Sequence, residues 1–404
     1  KMLGNINTLD DVELKGKTVL LRIDINSSIG EDGKVQFSPR FSACAVTIKE
    51  LVEKGAKVVL LAHQGRPGDK EFCSLKEHAK LLSQAVGVEI RFVRDVIGPV
   101  AIDRIQEMAD GEVILLENVR FLSEETVEQT KLQASKSIFV KNLSAIADFF
   151  VQDAFSNCHR SHASMVGFPV LLPSVAGRLV EKELLAIEKI EKAQSQAVFV
   201  IGGVKLKEVM HLVEHVCRNG KAAKLLLTGM PGLLFLKAKG INLGEKTQEE
   251  FTALGGEEFL PLAKELWKNY SEIIATPVDV AVDVDGKRKE YGVLDLPVNN
   301  AIRDIGKKTI NNYVEIIKSS SAVFIKGVPG EFEKQEFSLS TQEICKALTE
   351  CKGFTVVGGG SLATAFTHFN LDINKISCVS LSGGALLEEL SWKKFPGIEA
   401  LRQN

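Results

Sequence analysis

The chain has 404 residues, 45% of them hydrophobic and 25% charged, and a formal net charge of −2 at pH 7. It is long enough for two or three hydrophobic cores and too apolar for a disordered chain. The near-neutral balance gives no global attraction for nucleic acid or an anionic membrane, so any anion site must come from local clustering.

At the start, KMLGNINTLDDVELKGK lacks the apolar core of a signal peptide. The run KTVLLRIDI reads as a buried strand, and SACAVTIKELVEKG follows with apolar residues at helical spacing and a glycine stop. Strand-like runs return in AKVVLLAH, GEVILLENV and DFFVQDAF, and later in AVFVIGG, KLLLTG, SAVFIKG and FTVVGGG. Each leads through a glycine or polar turn into a helical pattern, and the runs are nearly continuous in Val, Ile, Leu and Phe. That is expected of parallel strands covered by helices on both faces. Between the two groups, FPVLLPSVAGRLVEKELLAIEKIEKAQSQ is punctuated by proline and leads into an amphipathic stretch around Val180 to Lys192.

The expected fold class is α/β: two doubly wound parallel-sheet domains joined by an interdomain helix, with a cleft between them. The expected boundaries are 1–168 for an N-terminal domain, 169–194 for linker and interdomain helix, 195–385 for a C-terminal domain, and 386–404 for a segment returning towards the first. Seven scattered cysteines without a CxxC pair fit a reducing, cytoplasmic setting, and no apolar run approaches the ~20 residues of a membrane span.

In open α/β sheets ligands collect at the carboxyl ends of strands, so the loops after each run are where function is sought. The first group ends in Asp24 and Asn26, Arg40, His63 and Arg66, Arg120, and then His159, Arg160 and His162. A single arginine is usually a solvated surface residue. Several at the ends of one sheet are different, because their planar forks bind carboxylate and phosphate oxygens bidentately. His159 and His162, three apart, are read as structural or phosphate-facing, and His211 and His215 in HLVEH as part of a solvated helix face, rather than as zinc ligands. His78 and His368, inside helical patterns, are expected to have no special role.

The second group ends in glycines: Gly202 and Gly203 before Lys205, Gly229 and Gly232, Gly327 to Glu333, Gly358 to Ser361, and Ser380 to Ala385. Such turns let backbone N–H groups and helix N-termini approach phosphate oxygens. Neither GxxxxGK[ST] nor GxGxxG is present, so the expectation is a nucleotide cradle assembled from many loops.

These blocks resemble the phosphoglycerate kinase family over essentially the whole length. The resemblance is carried by AHQGRPG, LENVRF, DAFSNCHRSHAS, IGGVK, FLKAKG, DIGKKTI and SGGALLEELSWKKFPGIEAL, and PVDVAVDVDGKRKE resembles the archaeal branch. The resemblance implies reversible phosphoryl transfer from ATP to the carboxylate of 3-phosphoglycerate, with Mg²⁺ accompanying the nucleotide and closure of the two domains before transfer. It implies that Arg40 touches the transferring group and that Asp24, Asn26, His63, Arg66, Arg120 and Arg160 hold the phosphoglycerate. Lys205 would sit on the nucleotide phosphates and Glu333 on the ribose. Gly202, Gly203, Gly229, Lys326, Gly327, Gly358, Gly359, Gly360 and Ser361 would complete the nucleotide site, with Gly360 and Gly383 counted, beside Arg40 and Lys205, among the catalytic positions. No dedicated protein-held metal, no nucleic-acid partner and no membrane association are implied, and the chain is expected as a monomer or small homo-oligomer.

The donor half departs from the family pattern. Val209 stands where a second lysine is usual, Ser361 where GGGD has its aspartate, Lys326 where WNGPMG has asparagine, and Leu381 and Ser382 replace residues of STGGGA. Two alternatives stay open at this level: a kinase of the same fold acting on another carboxylate, and a weakened anion- or nucleotide-binding paralogue.

Overall fold

The computed structural model describes residues 4–193, 196–382 and 394–402. The chain divides into two compact units, Lys1–Leu185 with Lys394–Asn404, and Ala186–Lys393. The long helix Arg178–Ala193 runs through the boundary.

The first unit is built on β1 (Thr18–Arg22), β2 (Lys57–Leu61), β3 (Ile90–Val93), β4 (Val113–Leu116), β5 (Phe149–Gln152) and β6 (Ser174–Ala176). Among the described residues they form one parallel sheet in the order β3-β4-β2-β1-β5-β6. The reversal of chain direction across the sheet comes where β1 lies between β2 and β5, the point at which a doubly wound sheet opens for ligands. β1 is buried along its whole length, and Val19, Leu21, Ile48, Leu51, Val58 and Leu60 share one core. The helix Pro39–Glu53 follows β1 and starts on a proline, whose fixed φ suits the first turn and puts Arg40 there. Ser174–Ala176, inside the stretch read as a linker, is instead the edge strand of this sheet. At three residues it is too short to show a strand period.

The second unit contains β7 (Ala197–Ile201), β8 (Lys224–Leu227), β9 (Ile274–Ala275), β10 (Asp279–Val284), β11 (Lys287–Gly292), β12 (Ile302–Ile305), β13 (Ala322–Lys326), β14 (Phe354–Gly358) and β15 (Cys378–Ser380). Its parallel sheet has the order β15-β14-β13-β7-β8-β9. Beside it lies an antiparallel sheet, β11-β10-β12, that the all-parallel reading did not anticipate. Asp285 and Gly286, at φ 51° and 80°, join β10 to β11 with the two left-handed residues that a tight hairpin turn requires. Val280, Val282 and Ile302 pack with Leu236 and Leu243 in a small core of their own.

Candidate active site

In the first unit the expected anion-binding residues sit on the loops after β1, β2, β4 and β5. Asp24 is nearly buried and accepts from Arg40 Nη1 at 2.8 Å, from the Asn26 backbone N–H at 3.0 Å, and from the Ser156 hydroxyl. Arg40 Nη1 also donates to the Asn26 carbonyl oxygen at 3.2 Å. Asn26 Oδ1 accepts from the Gly65 N–H at 2.8 Å, and Arg120 Nη1 donates to the Gly65 carbonyl at 2.9 Å. Gly65 has φ 65° and lies against the Phe72 backbone so closely that a Cβ would collide with it. One chain of hydrogen bonds therefore ties Arg40, Asp24, Asn26, Gly65 and Arg120 together.

The Arg120 loop is held from beneath by buried Asn118, which donates to Gln64 O at 2.8 Å and Cys73 O at 2.9 Å and accepts from the Arg120 N–H at 3.1 Å. Burial, and then the positive charges of Arg22, Arg160 and Arg66, lower the Arg120 pKa to about 10 against the partial relief of Glu125. A guanidinium stays charged at neutral pH even so. Mutual repulsion among cations is the mark of a cluster poised for an anion. His63 is held well below its ordinary pKa by burial and by Arg22, Arg120, Arg40 and His162, and so is neutral. Its Nδ1 lies 3.0 Å from Arg22 Nη2, which can only donate. The proton therefore sits on Nε2, leaving that edge as a neutral donor.

Arg66 is exposed and near enough to Arg120 to repel it. Arg160 is 3.6 Å from Glu128, which also accepts from the Ser161 N–H at 2.6 Å and lies 3.4 Å from His162 Nε2. Burial first, and the charges of Arg120, Arg160 and Arg22, hold the His162 pKa at about 4 against the pull of Glu128, so the ring that faces this carboxylate is neutral. Ring contacts place His159 near Phe395.

The sequence reading missed Arg22, Glu125 and Ser156. Arg22 is fully buried at the end of β1, donating to Ser164 Oγ at 2.8 Å and lying 4.0 Å from Glu125. An arginine inside the run TVLLR was the available signal, because a buried guanidinium needs fixed partners.

In the second unit a cavity of about 670 Å³ opens over the carboxyl ends of β7, β8, β13 and β14, a size that suits a nucleotide. All eleven residues expected at a nucleotide site line it: Gly202, Gly203, Lys205, Gly229, Lys326, Gly327, Glu333, Gly358, Gly359, Gly360 and Ser361. Gly383 lies outside the described residues. The Gly202 N–H donates to Lys326 O and the Gly203 N–H to Val328 O, both at 2.9 Å, while Gly203 O accepts from the Met230 N–H at 2.9 Å. Gly327, at φ 84°, has no room for a side chain against the Gly202 carbonyl. The glycines are thus required twice, for positive φ and for close approach of three strand ends.

Lys205 is mostly exposed and 3.4 Å from Glu208, whereas Val209 is buried in the cavity wall and Lys207 is exposed outside it. Also lining the cavity, and missed from sequence, are Arg303 with Glu250 at 2.6 and 2.8 Å and Glu331 at 3.2 Å, and Asp304, which accepts from Arg288 at 2.8 Å. Leu233, Phe251, Leu254, Val280 and Ile302 supply apolar wall. His368 sits edge-on to Phe369 with ring centroids 4.8 Å apart, a packing role. Among the described residues no group of three or more His, Cys, Asp or Glu side chains could hold a metal, HLVEH included. No described helix is long and apolar enough to cross a membrane.

The family model described as Phosphoglycerate kinase matches residues 9–393. The chain is 38% identical to the phosphoglycerate kinase of Methanothermus fervidus, covering 98% of this chain and 97% of that protein, and 40% identical to that of Sulfurisphaera tokodaii, covering 99% and 96%. Its structure is similar to the crystal structure of phosphoglycerate kinase from Pyrococcus horikoshii, with a TM-score of 0.88 and 35% identity over 98% of both chains. The structure of the Coxiella burnetii phosphoglycerate kinase gives 0.82 and 28% over 98% of both. With the family model spanning nearly the full length and the relatives matching end to end, the chain belongs to the phosphoglycerate kinase family.

Proposed function

We propose that this chain transfers the terminal phosphoryl group of ATP reversibly to the carboxylate of 3-phosphoglycerate, giving ADP and 1,3-bisphosphoglycerate. The observation that carries the reading is the cluster around buried His63, which Arg22, Arg120 and Arg40 all face, and in which the charges of Arg22, Arg160 and Arg66 act against that of Arg120. A small, multiply charged anion relieves that repulsion. We assign it to Asp24, Asn26, His63, Arg66, Arg120 and Arg160, with Arg40 reaching the transferring group.

The acceptor carboxylate is ionised at neutral pH, so no general base is required. One of its oxygens bonds to the γ-phosphorus as the bond from phosphorus to the β–γ bridging oxygen breaks; ADP leaves with that electron pair and no proton moves. The work left to the protein is positioning and neutralisation of charge spread over three equatorial oxygens. We assign the nucleotide to the glycine-lined cavity, with Lys205 and Lys326 towards its phosphates and Glu333 towards its ribose. Mg²⁺ would enter as part of the nucleotide complex, supplying positive charge at the phosphates, and among the described residues no group of three or more His, Cys, Asp or Glu side chains stands ready to hold it. With acceptor and donor assigned to different units, transfer requires the two ligands to be brought together and water excluded, since water would hydrolyse the acyl phosphate. A cytoplasmic setting fits the scattered cysteines, and monomer or small homo-oligomer is retained as the assembly.

A coupled assay with ATP, Mg²⁺ and 3-phosphoglycerate tests the reading, with a panel of other carboxylates alongside. Preferential turnover of 3-phosphoglycerate is expected. Turnover confined to a different carboxylate, or binding without turnover, would replace it.

A further inference from the structure

Lys326 ends β13, lines the nucleotide-sized cavity and is only partly exposed. Its ammonium stands beside the start of the helix Gly360–His368, so that a methyl group on Gly359 would lie 3.0 Å from Lys326 Nζ. Among the described residues it has neither a carboxylate within 4.0 Å nor a hydrogen-bond acceptor. The nearby charges are Glu208, which favours the charged form, and Lys205, which opposes it. Glu208 is already engaged with Lys205 at 3.4 Å.

A partly buried ammonium without a partner is costly in an empty site and becomes favourable once an anion supplies the missing acceptors. The neighbouring positions sharpen the point. Val209 contributes no charge to the wall, Ser361 at the first turn of the same helix is neutral, and Lys205 holds its charge on a largely exposed side chain. We propose that Lys326 is the pre-positioned cation of the donor site, contacting the terminal phosphates of the nucleotide and doing so whether or not a divalent metal accompanies them. The assignment rests on reading the cavity as the nucleotide site.

Binding of ADP, with and without Mg²⁺, and of adenosine would be measured by calorimetry on the full chain and on Lys326→Met, Lys326→Arg and Lys207→Met. Losing one charge-assisted contact should weaken ADP roughly tenfold to a hundredfold in Lys326→Met, in both metal conditions. Adenosine, which has no phosphates, should bind as in the parent chain. Lys326→Arg should stay within a few-fold of the parent, and Lys207→Met should be unchanged. Should methionine not be tolerated, Lys326→Gln repeats the comparison. Undiminished ADP affinity, an equal loss for ADP and adenosine, or a loss confined to the Mg²⁺ complex would each overturn the assignment. If the parent chain turns over 3-phosphoglycerate while Lys326→Met binds ADP normally, only the role of Lys326 falls and the proposed reaction stands.

Discussion

Arg40 Nη1 lies 2.8 Å from Asp24 Oδ2 and 3.2 Å from the Asn26 carbonyl oxygen, so one corner of the guanidinium is tethered while the rest of the fork is left for a ligand. A lysine reaches the same region but cannot keep one donor on Asp24 and present a planar pair elsewhere. Steady-state kinetics of Arg40→Lys should show kcat/KM reduced about 10²- to 10³-fold, the usual cost of one lost transition-state donor. The Arg40 side chain is 35% exposed, so the melting temperature should hardly change. A large fall in melting temperature would assign the residue a structural role instead.

Arg120 is one of the charges that depress the His63 pKa, after burial and Arg22. Removing it in Arg120→Met should raise the His63 titration midpoint part of the way towards the ordinary histidine value, because burial remains. The same change deletes the donor to Gly65 O and should weaken phosphoglycerate roughly tenfold to a hundredfold. Imidazole NMR titration follows the first effect and calorimetry the second. An unmoved His63 resonance would show that the two side chains do not share one field.

His78 is buried, with Nε2 2.8 Å from Gln64 Oε1, and burial lowers its pKa from 6.5 to about 4. The folded state therefore binds its proton less readily than the unfolded state. The contribution to stability is complete above pH 6.5 and is lost as the pH falls from there towards 4, by on the order of 3 kcal/mol. Denaturant unfolding of the parent chain and of His78→Gln across this window should show a shallower pH slope in the variant. Parallel slopes would mean that His78 does not contribute to acid lability.

Gly327 and Gly360 line the same cavity but should fail differently. At Gly327 a Cβ would overlap the Gly202 carbonyl at a φ of 84°, so Gly327→Ala should destabilise the second unit by several kcal/mol and abolish nucleotide binding. At Gly360 a Cβ meets nothing within 4 Å and projects into open space. Gly360→Ala should fold with an unchanged melting temperature and still lose nucleotide affinity, since the methyl group occupies room the phosphates need. Equal melting temperatures for the two variants would contradict the strand-end packing described for Gly202, Gly203 and Gly327.

The sheets were legible because buried parallel strands are written as unbroken apolar runs, as in TVLLR and AVFVI, and the glycine turns because close approach of strand ends excludes a Cβ. The glycines of the cavity lining followed from that chemistry, whereas Lys205 and Glu333 came from the family resemblance and Arg303, Glu250 and Asp304 were not read from the sequence. The β10–β11 hairpin was also signalled, by Asp285-Gly286 between residues of strand period, although every other run pointed to parallel pairing. Strand β6 carried no pattern long enough to read, and its place was set by pairing with β5. What only the tertiary structure decided is which charges share a field. Arg22 and His63 are 41 residues apart in the chain and 3.0 Å apart in space, and Arg303 and Glu250 are 53 apart yet bidentate. Whether a lysine such as Lys326 is solvated, or half-buried with no partner among the described residues, depends on burial and on neighbours from other strands, which no local pattern encodes.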